Sequence, residues 1–156
     1  MINTGNWIDM PNNTDISRYH GFVYEVEEND TGMKYIGKTS FWRVEKKKPG
    51  KYKKNPDGSF LKGKDGKRVL ETRTVRKHKR VETDWRNYTT SNALLSKKIQ
   101  QNPSNYKMRM LYFGTSVMDL KIKEAFVQIS YYMDGRWDEL YNEQIDLRGR
   151  VPKNKN

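Results

Sequence analysis

Cysteine is absent from this chain of 156 residues, and histidine occurs only twice. The lack of cysteine excludes disulfide bonds, cysteine-ligated zinc and thiol nucleophiles. The two histidines, His20 and His78, lie far apart in the sequence, which argues against a histidine-rich metal site. Any reaction chemistry therefore has to come from other polar side chains.

Long hydrophobic runs are missing as well. Only 34% of the residues are hydrophobic, and the mean hydropathy is −1.07. No stretch approaches the roughly 20 apolar residues that a membrane span needs, and the first residues lack the basic start and apolar run of a secretory signal. We therefore predict a soluble, cytoplasmic protein without a membrane partner, in which residues 1–156 form a single domain.

Acidic residues are scarce in one part of the chain. The formal net charge is +12, and residues 43–82 hold 16 Lys or Arg against 5 Asp or Glu. Concentrated positive charge is the electrostatic feature that a polyphosphate partner requires. The alternatives are a solvated loop without a function and a loop that binds an acidic protein surface. An anionic membrane is disfavoured because the run has no amphipathic helical pattern.

We call residues 43–82 the basic insertion and predict that it binds nucleic acid. Its turn signals, NPDG and KDG, precede KRVLETRTV, whose β-branched residues favour an exposed hairpin. The cations expected to contact the nucleic acid are Lys46, Lys47, Lys48, Arg73, Arg76, Lys77, His78, Lys79 and Arg80.

The stretch GFVYEVEENDTGMKYIG, residues 21–37, has the pattern of a β-hairpin. Phe22, Tyr24 and Val26 lie on one side of the first run, and NDTG supplies turn residues before the second. Tyr24 and Tyr35 stand at matching places on the two strands. Such a pair could belong to the core or could line a reaction site, and the hairpin alone does not decide.

A helix is predicted within TTSNALLSKKIQQNP, which follows the basic insertion. A Ser or Thr caps its start, Leu94, Leu95 and Ile99 lie on one face, and the helix stops before the proline. The preceding Trp85 and Tyr88 are expected to be packing residues.

A strand and a longer helix are predicted next. The stretch NYKMRMLYF alternates as a strand does, and GTS caps a helix from near Ser116 to about Met133. The strand residues expected on one face are Tyr106, Met108, Met110 and Tyr112.

The longer helix carries two apolar stripes at 100° per residue. The broad stripe comprises Met118, Ile122, Ala125, Phe126, Ile129 and Tyr132. The narrow stripe comprises Val117, Leu120, Val127 and Tyr131. Glu124 falls in the middle of the narrow stripe, and an unpaired buried charge is costly, so we expect a cation or a water-filled cleft in front of it. A purely structural salt bridge is the alternative.

These landmarks together resemble the GIY-YIG nuclease family. GFVY followed by KYIGKT resembles the paired signature of the family, with Phe22 and Val23 in place of the usual small and aliphatic residues. VETDWRNYTTSNALLSKKI resembles the start of the first helix after the insertion in phage-encoded members. KIKEAF resembles the helix with the family's single glutamate, and LYNEQI the late strand with its asparagine. The resemblance extends from Gly21 to about Ile145.

The resemblance implies an α/β or α+β fold with a small, mainly antiparallel sheet of three strands flanked by helices, from which the basic insertion projects. The implied activity is metal-dependent hydrolysis of DNA, with duplex DNA as the expected partner. It further implies a homing or Seg-type endonuclease, acting in the host cell cytoplasm if phage-encoded. Mg²⁺ is the expected cofactor, with Mn²⁺ as a substitute.

The site residues that the resemblance implies are Tyr24, Tyr35, Gly37, Lys38, Arg43, Glu124 and Asn142. Glu124 would be the metal ligand, and Gly37 would allow close packing beside the site. Family members usually carry an arginine about eight residues after that glycine, and here the position is Glu45. Arg43 and Lys46 lie close by in the sequence and could replace it, as could another arginine of the basic insertion.

The chemistry explains why such residues are useful together. A hard cation such as Mg²⁺ keeps most of its waters, so one carboxylate and the substrate phosphate can hold it. A tyrosine has an ordinary pKa of about 10, and ionising it at neutral pH requires about 4 kcal/mol of electrostatic help. Lys34, Lys38 and the metal ion could supply this help. We therefore assign Tyr24 as the general base and Tyr35 as a hydrogen-bonding group that positions the water or the phosphate, with the reverse order as the alternative.

The sequence thus predicts an Mg²⁺-dependent endonuclease. The alternative is a catalytically inactive relative that binds nucleic acid as an accessory or regulatory protein. The joint presence of Tyr24, Tyr35, Glu124 and Asn142 favours the enzyme, whereas the missing arginine favours the alternative.

Overall fold

A computed structural model describes residues 5–11, 14–45, 52–69 and 79–146. The chain divides into two compact units, one formed by residues 1–42 and 82–156 and the other by residues 43–81. The second unit coincides closely with the range of the basic insertion.

The first unit is built on a three-stranded antiparallel sheet in the order β2-β1-β5. Strand β1 (Gly21–Glu28) is central, with β2 (Lys34–Ser40) on one side and β5 (Tyr106–Gly114) on the other. The predicted hairpin is therefore confirmed as β1 and β2, joined by a turn in which Gly32 adopts a positive φ of 71°. This sheet with two α-helices confirms the predicted α+β class.

Alternation along β1 produces two core clusters on opposite faces of the sheet. Phe22, Tyr24 and Val26 face the larger, aromatic cluster, and Val23 faces the smaller one. Trp7 and Trp85 join the larger cluster, where the Trp7 indole N–H donates to the Trp85 carbonyl at 2.8 Å. Trp85 is thus a packing residue, as predicted.

Helix α1 (Ala93–Gln101) supports the larger cluster with Leu95 and Ile99. Its cap is Asn92, whose side chain accepts hydrogen bonds from two backbone N–H groups, so the predicted Ser or Thr cap was wrong. The prediction for Leu94 was also wrong, because this side chain is 75% exposed. Successive side chains on a helix point about 100° apart, so only one of the two adjacent leucines, Leu95, faces the cluster.

Strand β5 confirms the predicted strand but changes face near its end. Opposite Val23 and Tyr24 its partners are Tyr112 and Met110, so Leu111 is an extra residue in the ladder. Such a bulge shifts the alternation by one residue. Phe113 consequently packs against the larger cluster and Tyr112 is exposed, contrary to the expectation for Tyr112.

Helix α2 (Val117–Met133) begins at the predicted cap, Ser116, whose side chain accepts from the N–H of Asp119. The narrow stripe with Leu120 faces the sheet, and most of the broad stripe is exposed. The helix lies very close to β5, since a Cβ on Gly114 would be 2.5 Å from Leu120 Cδ2. The buried face is the one that carries the narrow stripe. Leu120 packs closely on β5, and the polar residues on the same side of the helix, Glu124 and Gln128, have partners on β2.

The second sheet pairs β3 (Trp42–Glu45) with β4 (Lys79–Glu82). Between them, isolated antiparallel bridges join Lys54 to Phe60 and Lys62 to Arg68. The predicted hairpin in KRVLETRTV falls largely on residues 70–78, outside the described residues. Helices in the described ranges do not reach the combination of length and hydropathy needed to cross a membrane.

Candidate active site

A polar cleft of about 320 Å³ opens in the first unit beside the edge strand β2. Strand β2 contributes Tyr35 and Lys38, and α2 contributes Glu124 and Gln128. The α1 cap contributes Asn92, and the chain that follows α2 contributes Tyr141, Asn142, Glu143, Gln144 and Asp146. Of the residues predicted for the site, the cleft brings together Tyr35, Lys38, Glu124 and Asn142.

An ion pair between Lys38 and Glu124 lies at the centre of this cleft. The Lys38 ammonium group contacts Glu124 Oε2, and the two side chains are 26% and 12% exposed. Burial raises the pKa of Glu124 above its ordinary value, while the positive charge of Lys38 opposes that shift. The sequence predicted a cation or a cleft in front of Glu124, and the structure contains both.

Further carboxylates lie on the same cleft. Asp146 forms an ion pair with Lys121 at 3.5 Å, and its negative charge contributes to the raised pKa of Glu124. Glu143 also lines the cleft. No group of three or more potential metal-ligating His, Cys, Asp or Glu side chains occurs among the described residues. One or two carboxylates with water are nevertheless the usual ligands of Mg²⁺, so the oxygen donors around Glu124 fit such an ion.

The hydroxyl of Tyr35 belongs to the cleft. It lies 2.9 Å from Ser91 Oγ, and the side chain is only partly buried. Tyr35 stands on the edge strand β2 and lines the cleft together with Asn92, the cap of α1. This position makes the phenolic oxygen accessible to a molecule bound in the cleft.

Tyr24, by contrast, is fully buried in the aromatic cluster and is not among the cleft residues. Its hydroxyl lies 3.5 Å from both Tyr88 Oη and Thr90 Oγ1. Burial raises the pKa of Tyr24 well above its ordinary value, so the phenolate form is strongly disfavoured. The two signature tyrosines are neighbours, with ring centroids 6.3 Å apart, but only Tyr35 faces the cleft.

Gly37 explains how the tyrosines fit together. A Cβ at this position would lie 2.5 Å from Tyr24 Oη and 2.9 Å from Tyr35 Cε1, closer than real Cβ atoms approach. Any larger residue would push one ring aside. Because Gly37 has no side chain, the β2 backbone and the rings of Tyr24 and Tyr35 can pack closely together.

Asn142 forms two hydrogen bonds to one residue of β2. Its Oδ1 accepts from the Ile36 N–H and its Nδ2 donates to the Ile36 carbonyl, both at 2.8 Å. The Tyr141 N–H donates to the Lys34 carbonyl at 2.7 Å, and Leu140 forms a parallel bridge with Lys34. Residues 140–142 thus cover the outer edge of β2. By fixing this segment, Asn142 also positions the residues that follow it, of which Glu143 and Asp146 form the carboxylate wall of the cleft.

A second anchor holds the same segment. The Glu28 carboxylate accepts hydrogen bonds from the hydroxyls of Thr31, Tyr106 and Tyr141. These three donors lower the pKa of Glu28 to about 2. The hydrogen bond from Tyr141 to Glu28 therefore connects the segment that lines the cleft to the end of β1.

Several cleft residues were not predicted from the sequence. Gln128 lies one turn after Glu124, so the helical period could have indicated it. Asn92, Glu143, Gln144 and Asp146 carried no such signal, because their place depends on the docking of distant segments.

The remaining predicted residues belong to the second unit or fall outside the described residues. Arg43 is exposed on β3, within the second unit, and Arg80 is exposed on β4. Lys79 also lies on β4, as part of its backbone ladder. The predicted DNA contacts that lie outside the described residues are Lys46, Lys47, Lys48, Arg73, Arg76, Lys77 and His78.

A comparison with protein families agrees with this geometry. The family model described as "Putative endonuclease segE, GIY-YIG domain" matches residues 7–145. No curated protein and no solved structure matches the chain. Because the match covers most of the sequence, the chain belongs to the GIY-YIG endonuclease family. This family consists of nucleases, which hydrolyse phosphodiester bonds and generally use divalent metal ions.

Proposed function

We propose that the protein is an endonuclease that uses Mg²⁺ to hydrolyse phosphodiester bonds in duplex DNA. The observation that carries the proposal is the cleft lined by Tyr35 and by the Lys38–Glu124 ion pair. A carboxylate, a cation and a hydroxyl on one concave surface supply the groups that phosphodiester hydrolysis needs.

Glu124 is the residue proposed to hold the metal ion. Its carboxylate lies at the cleft with Asp146 and Glu143 beside it, and hard oxygen ligands of this kind suit Mg²⁺ or Mn²⁺. A bound divalent ion would neutralise charge on the phosphoryl oxygens and lower the pKa of a bound water. Until such an ion is bound, Lys38 compensates the charge of the partly buried carboxylate.

Lys38 is proposed to contact the phosphate once its ammonium group is no longer held by Glu124. It is the one cation among the described residues that line the cleft. The family arginine is replaced by Glu45, so this lysine has to provide a larger share of the positive charge near the reacting phosphate. Arg43 and Lys46 remain proposed substitutes for that arginine.

Tyr35 is proposed to orient the attacking water or to accept its proton. Its side chain lines the cleft, and its hydroxyl lies 2.9 Å from Ser91 Oγ. Tyr24 is proposed to support the site from beneath, because burial disfavours its phenolate. This assignment exchanges the two roles that the sequence suggested.

The basic insertion is proposed to hold the DNA. Its excess of positive charge exceeds that of any other segment of similar length, and Arg80 is exposed on β4. Neutralising phosphates along a duplex provides affinity without base specificity. We further propose that the protein is a phage-encoded homing or Seg-type enzyme acting in the cytoplasm, and that the whole chain works as one nuclease domain.

A second function keeps the nucleic acid but not the reaction. Glu45 at the position of the family arginine, and the ion pair of Lys38 with Glu124, would both suit an inactive protein that binds DNA as an accessory or regulator. The two functions differ in a single assay, since only the enzyme converts supercoiled plasmid to nicked or linear DNA.

Plasmid cleavage with Mg²⁺ or Mn²⁺, and with EDTA as the control, tests the proposal. We expect Glu124→Gln to bind DNA and to lose cleavage by 100-fold or more, on the order of what removal of an essential catalytic group costs. Glu139→Gln is the matched control, because this exposed carboxylate pairs with Arg136 away from the cleft. Full activity in EDTA, or unfolding of Glu124→Gln by circular dichroism, would refute the assignment of Glu124 as the metal ligand.

A further inference from the structure

The outer face of α2 exposes a line of large apolar side chains. Ile122, Phe126, Ile129 and Met133 are 45%, 60%, 37% and 75% exposed. At 100° per residue they fall within an arc of about 60°, opposite the side that packs on the sheet through Leu120. We call these four residues the outer stripe.

The exposed area is at the upper end of what soluble monomers show. From the exposed fractions, the outer stripe and the neighbouring Tyr132 present about 500 Å² of apolar surface, which matches the largest patches seen on soluble monomers. Burying this patch on two copies would remove about 1,000 Å² from water, the lower limit for a specific interface. A contact of this size gives a weak, concentration-dependent complex.

The charges of α2 show which kind of partner fits. The helix carries Asp119, Lys121, Lys123 and Glu124, so its net charge is zero in a chain of +12. Each of these charges already has an ion-pair partner within the chain. A nucleic acid or a highly charged protein would therefore gain little here, whereas an apolar surface would bury the stripe without leaving a charge unpaired.

The spacing of the outer stripe is the same in both directions. The intervals from Ile122 to Phe126, Ile129 and Met133 are four, three and four residues. When two copies of such a helix pack antiparallel, Ile122 meets Met133 of the second copy and Phe126 meets Ile129. A two-fold symmetric interface requires such a self-complementary pattern, and intervals of three and four are those of helix seams.

We propose that the outer stripe of α2 is the interface of a weak antiparallel homodimer. The partner is a second copy of this chain, which meets the requirements of an uncharged, apolar and self-complementary surface. Glu124 lies on the opposite side of the same helix, so both clefts remain open in the dimer. The proposal does not depend on cleavage and is tested without it.

Sedimentation equilibrium over a range of protein concentrations is the first test. We expect the mass to rise from 18.6 kDa toward twice that value at tens to hundreds of micromolar, and to rise further with salt, because screening weakens repulsion between basic chains. Phe126→Glu should remain monomeric. Leu94→Glu is the matched control, since Leu94 is an exposed apolar residue on α1, and this variant should associate as the original chain does.

The absence of cysteine allows a second test, which reports the register. Single substitutions Phe126→Cys and Ile129→Cys place the sulfurs near the two-fold axis, and oxidation should link two copies. Ile122→Cys and Met133→Cys lie about 16 Å from their own symmetry mates along the helix axis, so each should crosslink only when the two variants are mixed.

Three outcomes would overturn the proposal. A monomer at every concentration would assign the face to a different protein or to another segment of the chain. A dimer that survives Phe126→Glu would place the interface elsewhere. Homodimeric crosslinks at all four positions would indicate parallel helices instead of the antiparallel register.

Discussion

Replacing Asn142 by alanine removes both hydrogen bonds that hold residues 140–142 on the edge of β2. The Ile36 N–H and carbonyl point away from β1, and Asn142 is the partner of both. Each bond contributes about 0.5 to 1.5 kcal/mol, so the variant should lose about 1 to 3 kcal/mol of stability. For a chain of this size, the melting temperature should fall by about 2 to 4 °C for each kcal/mol.

Amide hydrogen exchange gives a more local measurement of the same loss. The Ile36 amide should exchange about 5- to 150-fold faster in Asn142→Ala, since each 1.4 kcal/mol of the expected loss corresponds to a factor of ten. The Gly37 amide is an internal control, because successive N–H groups along a strand point in opposite directions and this one faces β1. Glu143→Ala controls for a change in the same segment that leaves the Ile36 bonds intact.

The outcome also distinguishes a positioning residue from a catalytic one. If Asn142 acts through the segment it holds, Asn142→Ala should weaken cleavage and the protection of Ile36 together. Loss of cleavage with unchanged exchange at Ile36 and unchanged melting temperature would refute this reasoning. Asn142 would then contact the substrate directly.

Two further predictions concern the tyrosines and the buried carboxylate. Tyr35→Phe should reduce cleavage by about 100-fold while Tyr24→Phe has a smaller effect, because only Tyr35 presents its hydroxyl to the cleft; the reverse order in plasmid cleavage rates would restore Tyr24 as the base. Glu28→Gln should lower the free energy of unfolding at pH 7 by about 2 kcal/mol, somewhat less than a fall in pKa from 4.5 to about 2 would give without solvent screening. Since the folded-state pKa is lowered, the stabilisation is present above pH 4.5 and disappears as the pH falls toward 2, so urea denaturation should show the two proteins converging in acid. A difference that does not change with pH would contradict the role of the ionised carboxylate.

Local patterns predicted the elements well. The β1 and β2 hairpin follows from alternation and turn residues that lie within 20 positions of one another, and α2 follows from the cap at Ser116 and its helical period. Such signals depend on neighbours in sequence, which is why they can be read directly. The period of the helix also predicted that Glu124 lies on a buried face with a cation or a cleft in front of it.

Packing partners were harder to predict. The two stripes of α2 could be recognised from the helical period, but the period does not show how deeply each is buried. The narrow side is the buried one, because Gly114, Lys38 and the Ile36 carbonyl all contact it. Similarly, Tyr24 and Tyr35 look equivalent in the hairpin. They differ because β5 adds to the far side of β1, which makes β1 central and leaves Tyr35 on an edge strand.

The pairing of residues 140–142 with the edge of β2 also sets an order of events during synthesis. The hairpin, β5 and α2 precede this segment in the chain, so the sheet can assemble while the outer edge of β2 is still uncovered. Only when Leu140, Tyr141 and Asn142 have left the ribosome is that edge closed and the carboxylate wall of the cleft completed. A chain that has been synthesised only as far as α2 thus carries Tyr35, Lys38 and Glu124 beside an incomplete cleft.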